Sequence, residues 1–130
     1  WADEDREVDD VRPVGHTRET FPLERWQQWA SPVWMDVRHT DVLNVRAARD
    51  DRDERHMCPL SLDLIQRCVR LWSNEGDVVL SPFGGVGSEG VGALRAGRRF
   101  IGVELKPSYY RQAVKNLKSE SMSDQVGMFG

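Results

Sequence analysis

The sequence predicts an α/β fold, a Rossmann-like partial sheet preceded by an irregular N-terminal segment. Three observations carry that reading. Between residues 60 and 118 the elements run helix, strand, glycine loop, helix, strand, acid, helix. Two short apolar runs, Asp77-Val78-Val79-Leu80 and Phe100-Ile101-Gly102-Val103, are of the type buried in parallel sheets. An acid, Glu104, follows the glycines at about 20 residues, the spacing of a nucleotide-binding βαβ unit.

Taken in order, residues 1–55 show no sustained periodicity. They are acidic from Asp3 to Asp10, interrupted by Pro13, Gly15, Pro22 and Pro32, and densely charged from Arg46 to Arg55. The exception is Leu23 to Met35, which carries Trp26, Trp29 and Trp34 and has room for a turn or two of helix before Pro32. Such a cluster does not stay in water, and docking a loop onto a core is the favoured reading over stacking on a base or cofactor.

From residue 56 to 118 the pattern sharpens into an α/β half-domain. Leu64, Ile65, Cys68, Val69 and Trp72 fall at helical spacing, with Ser61 as N-cap and Asn74-Glu75-Gly76 ending the run. Within that apolar stripe Cys68 reads as a small hydrophobe. The first strand leads directly into Ser81-Pro82-Phe83-Gly84-Gly85-Val86-Gly87-Ser88 and a helix reaching about Ala96, closed by Gly97. After the second strand Pro107 opens a helix with Tyr110, Ala113, Val114 and Leu117 on one face, Tyr109 and Tyr110 dividing between core and surface. Residues 119–130 read as a flexible tail.

Composition bounds the function. A chain of 130 residues, 39% hydrophobic and 30% charged, makes one domain or less and is short for an enzyme needing both a full cofactor fold and a substrate domain. No apolar run approaches the roughly 20 residues of a membrane helix, and the acidic start Trp1-Ala2-Asp3-Glu4-Asp5 lacks a secretion signal, so a cytoplasmic protein is expected. Two cysteines, Cys58 and Cys68, make neither a disulfide framework nor a metal cluster, and no metal is expected. With 18 basic and 21 acidic residues the net charge of −3 is a poor match for DNA overall. Arg95, Arg98, Arg99, Lys106, Arg111, Lys115 and Lys118 nonetheless gather in the C-terminal half. Lys106 and Arg111 are placed to meet phosphate, although such residues ordinarily form the wet face of a helix. His16 and His39 lie in charged loops, and His56 begins the segment before the first helix.

Gly84, Gly85 and Gly87 remove three β-carbons where a ligand must approach the backbone, and the following helix offers free N–H groups and a positive dipole end. Glu104, at the tip of the neighbouring strand, stands where a carboxylate accepts ribose hydroxyls. These features describe a site for an adenosine-containing cofactor. Because Gly85-Val86-Gly87-Ser88-Glu89-Gly90 also satisfies G-x-G-x-x-G, a dinucleotide such as NAD is a rival.

The residues around the glycines resemble the S-adenosylmethionine (SAM) region of the amino-methylating DNA methyltransferases, which act on adenine N6 or cytosine N4. The likeness rests on His56-Met57-Cys58-Pro59-Leu60, the Ser81 to Ser88 loop and Phe100-Ile101-Gly102-Val103-Glu104-Leu105, in the permuted motif order of that family. It runs from about His56 to Leu117, and phage and prophage members also resemble Ser31-Pro32-Val33-Trp34-Met35-Asp36. The resemblance implies a SAM-dependent methyltransferase fold in which Ser81, Pro82, Phe83, Gly84, Gly85 and Gly87 wrap the cofactor and Glu104, followed by Leu105, holds its ribose. Ser88 would cap the helix and touch the methionine portion, while Met57, Cys58 and Pro59 would lie against the cofactor from the other side. Two departures stand out. Ser81 replaces the family's aspartate, and the His-Pro-x-x-Lys-Pro segment is reduced to His56 through Pro59.

The family's catalytic Asp/Asn/Ser-Pro-Pro-aromatic tetrapeptide is absent, since the chain has no Pro-Pro. Ser31-Pro32-Val33-Trp34 comes nearest, but no apolar strand precedes it, so no catalytic residue is assigned. The expectation is the C-terminal, SAM-binding part of a phage-type methyltransferase acting on double-stranded DNA. Its catalytic half would lie upstream or on another chain, and the fragment would be inactive alone and open to self-association. The rivals are a noncatalytic SAM-binding or partner-docking module and an NAD-type domain.

Overall fold

Residues 14–44 and 59–127 are described by a computed structural model, so the acidic stretch of residues 3–10, the charged run up to Arg55, His56, Met57 and Cys58 lie outside the described residues. Among the described residues, four helices and two strands are found, and from α2 onward they follow the predicted order. These are α1 (Leu23–Trp29), α2 (Leu62–Trp72), β1 (Val78–Ser81), α3 (Ser88–Arg95), β2 (Arg99–Gly102) and α4 (Pro107–Gly127). The strands pair in parallel, from Val78 opposite Arg99 to Ser81 opposite Gly102. Ser61 caps α2 as expected, its hydroxyl accepting the Leu64 N–H at 3.4 Å.

Helix α3 is the hub, packing on α2, α4 and both strands. Its Ser88, Gly90, Val91, Gly92 and Ala93 are all buried. Two glycines within a helix cost roughly 1 kcal/mol each relative to Ala, and close packing offsets that. A β-carbon on Gly90 would stand 2.6 Å from the side chains of Leu117 and Phe100, and one on Gly92 would collide with Ile65. Leu62, Ile65 and Val91 form the main core cluster, with Leu43, Val69 and Leu117 packed around it.

Among the described residues, helices cover only one face of the sheet. Phe100 is half-buried and Gly90 of α3 lies against it, whereas Val78, Leu80, Ile101 and Val103 are exposed, Leu80 to 65%. Both strands were expected to be buried, and this corrects that expectation. The predicted stripe on α2 is also only partly buried. Ile65 faces α3, but Cys68 is exposed and Trp72 is 78% exposed, because α3 covers a narrower band than the apolar residues occupy. Cys68 is therefore not a core hydrophobe here, although desolvation still raises its thiol pKa and disfavours the thiolate. On α4, Ala113 is buried and Tyr109 packs at Val86, whereas Tyr110 is exposed. The helix continues to Gly127, through most of the segment read as a flexible tail, and a bidentate Arg95–Glu120 ion pair (2.8 and 2.9 Å) ties it to α3.

One of the ties between the N-terminal segment and α2 is a buried cation. Arg67 is 5% exposed, makes paired hydrogen bonds to the Asp36 carboxylate (2.9 and 3.1 Å) and donates to Asp63 on its own helix. Its guanidinium lies 5.7 Å from the Trp29 ring and 5.6 Å from the Trp34 ring. Trp29 in turn packs edge-on against buried Phe21. Two of the three clustered tryptophans thus dock a loop, as predicted, while Trp26 remains 48% exposed.

Replacing Arg67 by Met is expected to cost about 2 kcal/mol in urea unfolding, since it removes the buried guanidinium's bonds to Asp36 and Asp63 and its stacking on both indoles, and to shift tryptophan emission to the red. The hydrogen bonds from Arg67 hold the Asp36 carboxyl below the ordinary carboxylate range. A depressed folded-state pKa stabilises above the unfolded value, about 4, and that contribution is lost as pH falls through the folded value. The stability gap between wild type and Arg67→Met should accordingly narrow at acid pH.

Candidate cofactor-binding site

The glycine loop leaves β1 at buried Ser81, whose carbonyl accepts the Val103 N–H at 2.9 Å. Beyond it the Gly84 N–H reaches back to the Val103 carbonyl at 2.7 Å, and the Gly87 N–H closes a turn on the Gly84 carbonyl at 2.8 Å. Turning the chain from strand to helix in so few residues requires left-handed backbone at Gly85 (φ 52°) and Gly87 (φ 88°). Gly87 is also a close approach, since a β-carbon there would lie 3.2 Å from that of Ala113 on α4.

Gly87 itself occupies the N-cap of α3, and Ser88 is already helical and buried. The expectation that Ser88 caps the helix is therefore corrected, because the left-handed residue before it holds the capping position. The helical bonding of α3 begins with Val91 N–H to Gly87 O at 2.9 Å, so the N–H groups ahead of it have no intrahelical acceptor. They face the loop end of the sheet with the positive end of the helix dipole.

Glu104 closes this end. One of its carboxylate oxygens accepts the Gly85 N–H and the other the Lys106 N–H, both at 2.8 Å. A carboxylate offers about four acceptor positions, so two remain for ligand hydroxyls. Around it Pro82, Phe83 and Leu105 are exposed, Phe83 to 84% and Leu105 to 94%, giving an apolar rim beside a polar floor. Pro59 is half-buried at the start of the described segment, and Met57 and Cys58 lie outside the described residues. The predicted loop residues and Glu104 are thus brought together.

Two residues that sequence reasoning missed also shape the loop. Asn116 on α4 donates to the Val86 carbonyl at 2.8 Å, and Leu43 packs on buried Val86. The available signal for Asn116 was an amide three residues after Ala113 on the inner side of the helix. Leu43 gave no local signal, because its contact is wholly tertiary. Among the described residues no group of three or more His, Cys, Asp and Glu side chains could hold a metal ion, and no helix is long and apolar enough to cross a membrane.

A glycine turn between parallel strand and helix, closed by an acid from the next strand, defines a nucleotide-type cofactor site on a Rossmann-like half-sheet. The chain belongs to the N6/N4 DNA methylase family, which it matches over residues 3–115. It is 33% identical over 103 residues to the Type II methyltransferase M.BglI of Bacillus subtilis, covering 78% of this chain and 26% of that one. To M1.MboII of Moraxella bovis it is 30% identical over 110 residues, 77% and 41% of the two chains. Its fold is shared with TTHA0409 of Thermus thermophilus, described as a DNA modification methylase and solved with S-adenosyl-L-methionine. That likeness has a TM-score of 0.60 at 32% identity and covers 84% of this chain and 38% of that one. The chain therefore spans roughly a quarter to two-fifths of the length of these relatives.

Gly87→Ala combines a disfavoured backbone with a contact against Ala113. It is expected to cost about 1–3 kcal/mol in thermal or urea unfolding, more than an alanine introduced at an exposed helical site.

Proposed function

We propose that this chain is the SAM-binding portion of a DNA methyltransferase that methylates an exocyclic amino group of adenine or cytosine in double-stranded DNA. The observation that carries the reading is the Glu104 carboxylate at the open end of the glycine loop, with acceptor capacity to spare. Support also comes from the SAM complex of TTHA0409, whose fold covers 84% of this chain.

In this reading Glu104 accepts the ribose hydroxyls, the backbone from Phe83 to Gly87 wraps the methionine and ribose portion, and Phe83 and Leu105 shield it from water. SAM supplies a methyl group on a sulfonium sulfur for direct transfer to an amine, with the target base flipped out of the duplex. Ser81, where the family carries an aspartate, offers a neutral hydroxyl in place of a carboxylate toward the methionine ammonium, which weakens affinity.

We assign no catalytic residue within the chain. The Ser31-Pro32-Val33-Trp34 stretch is committed elsewhere. The Ser31 hydroxyl donates to the Val33 carbonyl at 2.9 Å, and the Trp34 indole donates to Trp29 O at 2.9 Å while stacking on Arg67. Helix α1, not a strand, precedes it. Orienting a flipped base against the cofactor thus falls to the remainder of the enzyme, and this portion is inactive by itself. The sheet face of Val78, Leu80, Ile101 and Val103, which meets no helix among the described residues, is where that remainder packs, and in isolation it is open to a second copy.

Calorimetric titration tests the proposal, with SAM, S-adenosylhomocysteine and NAD run against wild type and Glu104→Ala. The expected result is saturable binding of the two adenosyl ligands that weakens at least tenfold in the variant. Binding of NAD alone, or of none of the three by a folded sample, refutes it.

A further inference from the structure

Glu89, in the first turn of α3, is half-buried and makes no hydrogen bond or ion pair among the described residues. The contacts of its helix fix the direction in which it lies. The β-position of Gly90 meets Phe100 of β2 and Leu117 of α4, and that of Gly92 meets Ile65 of α2. At about 100° per residue, Glu89 falls between these two directions, on an arc it shares with Ala93 and Ala96. Both alanines are buried, whereas the opposite arc carries exposed Arg95 and half-buried Leu94. Because α3 packs on both strands, the arc of Glu89 is the one laid on the sheet. Helical side chains lean toward the N-terminus of their helix, so Glu89 leans toward the glycine loop.

Ser81 faces the same space from the sheet. Side chains alternate along β1, with Val78 and Leu80 on the exposed face and Val79 and buried Ser81 on the face that α3 covers. The end of β1 and the first turn of α3 thus offer the loop a neutral hydroxyl and a carboxylate with no bonded partner. The helix dipole favours an acid in this turn, but an outward position would serve the dipole equally well. It does not account for an acid on the arc that faces the sheet.

We infer that Glu89 accepts the ammonium group of the cofactor's methionine portion. The inference rests on the SAM reading above and deepens it. SAM ends in a zwitterion, one carboxylate beside one ammonium. The free amides at the start of α3 suit the carboxylate and repel a cation, so the ammonium needs an anionic acceptor of its own. Glu104 already holds two amides and, in this reading, the ribose. Ser81 brings no charge. Glu89 supplies the charge, and a bond between ammonium and carboxylate is stronger than one to a hydroxyl. The same carboxylate repels a pyrophosphate at this turn, which sets the site against a dinucleotide.

The test is calorimetric titration of wild type and Glu89→Gln with SAM, S-adenosylhomocysteine and a deaminated S-adenosylhomocysteine in which hydrogen replaces the amino group. Thermal unfolding establishes that the variant is folded. Wild type is expected to prefer S-adenosylhomocysteine to its deaminated analogue by about tenfold or more, the scale of a hydrogen bond between charged groups. Glu89→Gln is expected to lose that preference, because SAM and S-adenosylhomocysteine weaken while the analogue does not. A preference that survives in the variant overturns the inference. So does an equal loss for all three ligands, which makes Glu89 a support of α3, and so does a loss for SAM alone, which places the carboxylate against the sulfonium. In each of these cases wild type still binds SAM and the cofactor reading stands. A folded wild type that binds neither SAM nor S-adenosylhomocysteine refutes that reading and the inference with it.

Discussion

The Glu104 carboxylate joins two turns at the open end of the sheet, beside the Gly84–Val103 backbone bond. Through Gly85 it holds the loop leaving β1, and through Lys106 it holds the start of α4. A loop with left-handed residues at Gly85 and Gly87 has little intrinsic preference for one shape, so its conformation depends on what its amides meet. Once it is fixed, α3 starts at Ser88, Gly90 falls against Phe100 and Leu117, and Gly92 falls against Ile65. Under the proposed reading the same carboxylate that organises the loop receives the ribose, so folding of this end and cofactor recognition would share one group.

The rest of the molecule has two unequal faces. On one side of the sheet, α2, α3 and α4 bury a small core, and the Arg67 clamp straps the N-terminal segment onto α2 through Asp36, Trp29 and Trp34. On the other, Val78, Leu80, Ile101 and Val103 meet no helix among the described residues. The exposed Trp72 and Cys68 on α2 leave a further part of its apolar stripe uncovered. An apolar face of this kind is suited to packing against a further protein surface.

The βαβ unit was legible because its signals are local. A strand feeding glycines, an acid at the next strand end and a Ser61 cap each occupy a few adjacent residues. The candidate site inherited that legibility, since the loop and Glu104 belong to the same unit. What the sequence left unread is tertiary. Arg67 finds Asp36 31 residues away, and Asn116 finds the Val86 carbonyl 30 residues away. Neither pairing leaves a periodic trace. Cys68 and Trp72 satisfy helical spacing, but spacing says which residues share a stripe, not how wide a partner covers it. The last turns of α4 carry Ser119, Ser121 and Ser123, poor signals for a helix, and the ion pair of Glu120 with Arg95 supplies what propensity does not. Ser88 looked like a cap because serine favours that position, yet the turn needed a left-handed residue there and Gly87 took it.

The central claim is that the Glu104-closed loop is a working cofactor site within this chain. The most direct measurement is amide chemical-shift mapping of the isotope-labelled protein during titration with SAM. The account predicts saturable shifts centred on Gly84 to Ser88, Glu104 and Lys106, with Glu104→Gln abolishing the Gly85 and Lys106 responses. Shifts confined to the opposite end of the sheet, or a folded protein whose loop amides do not respond, would contradict it.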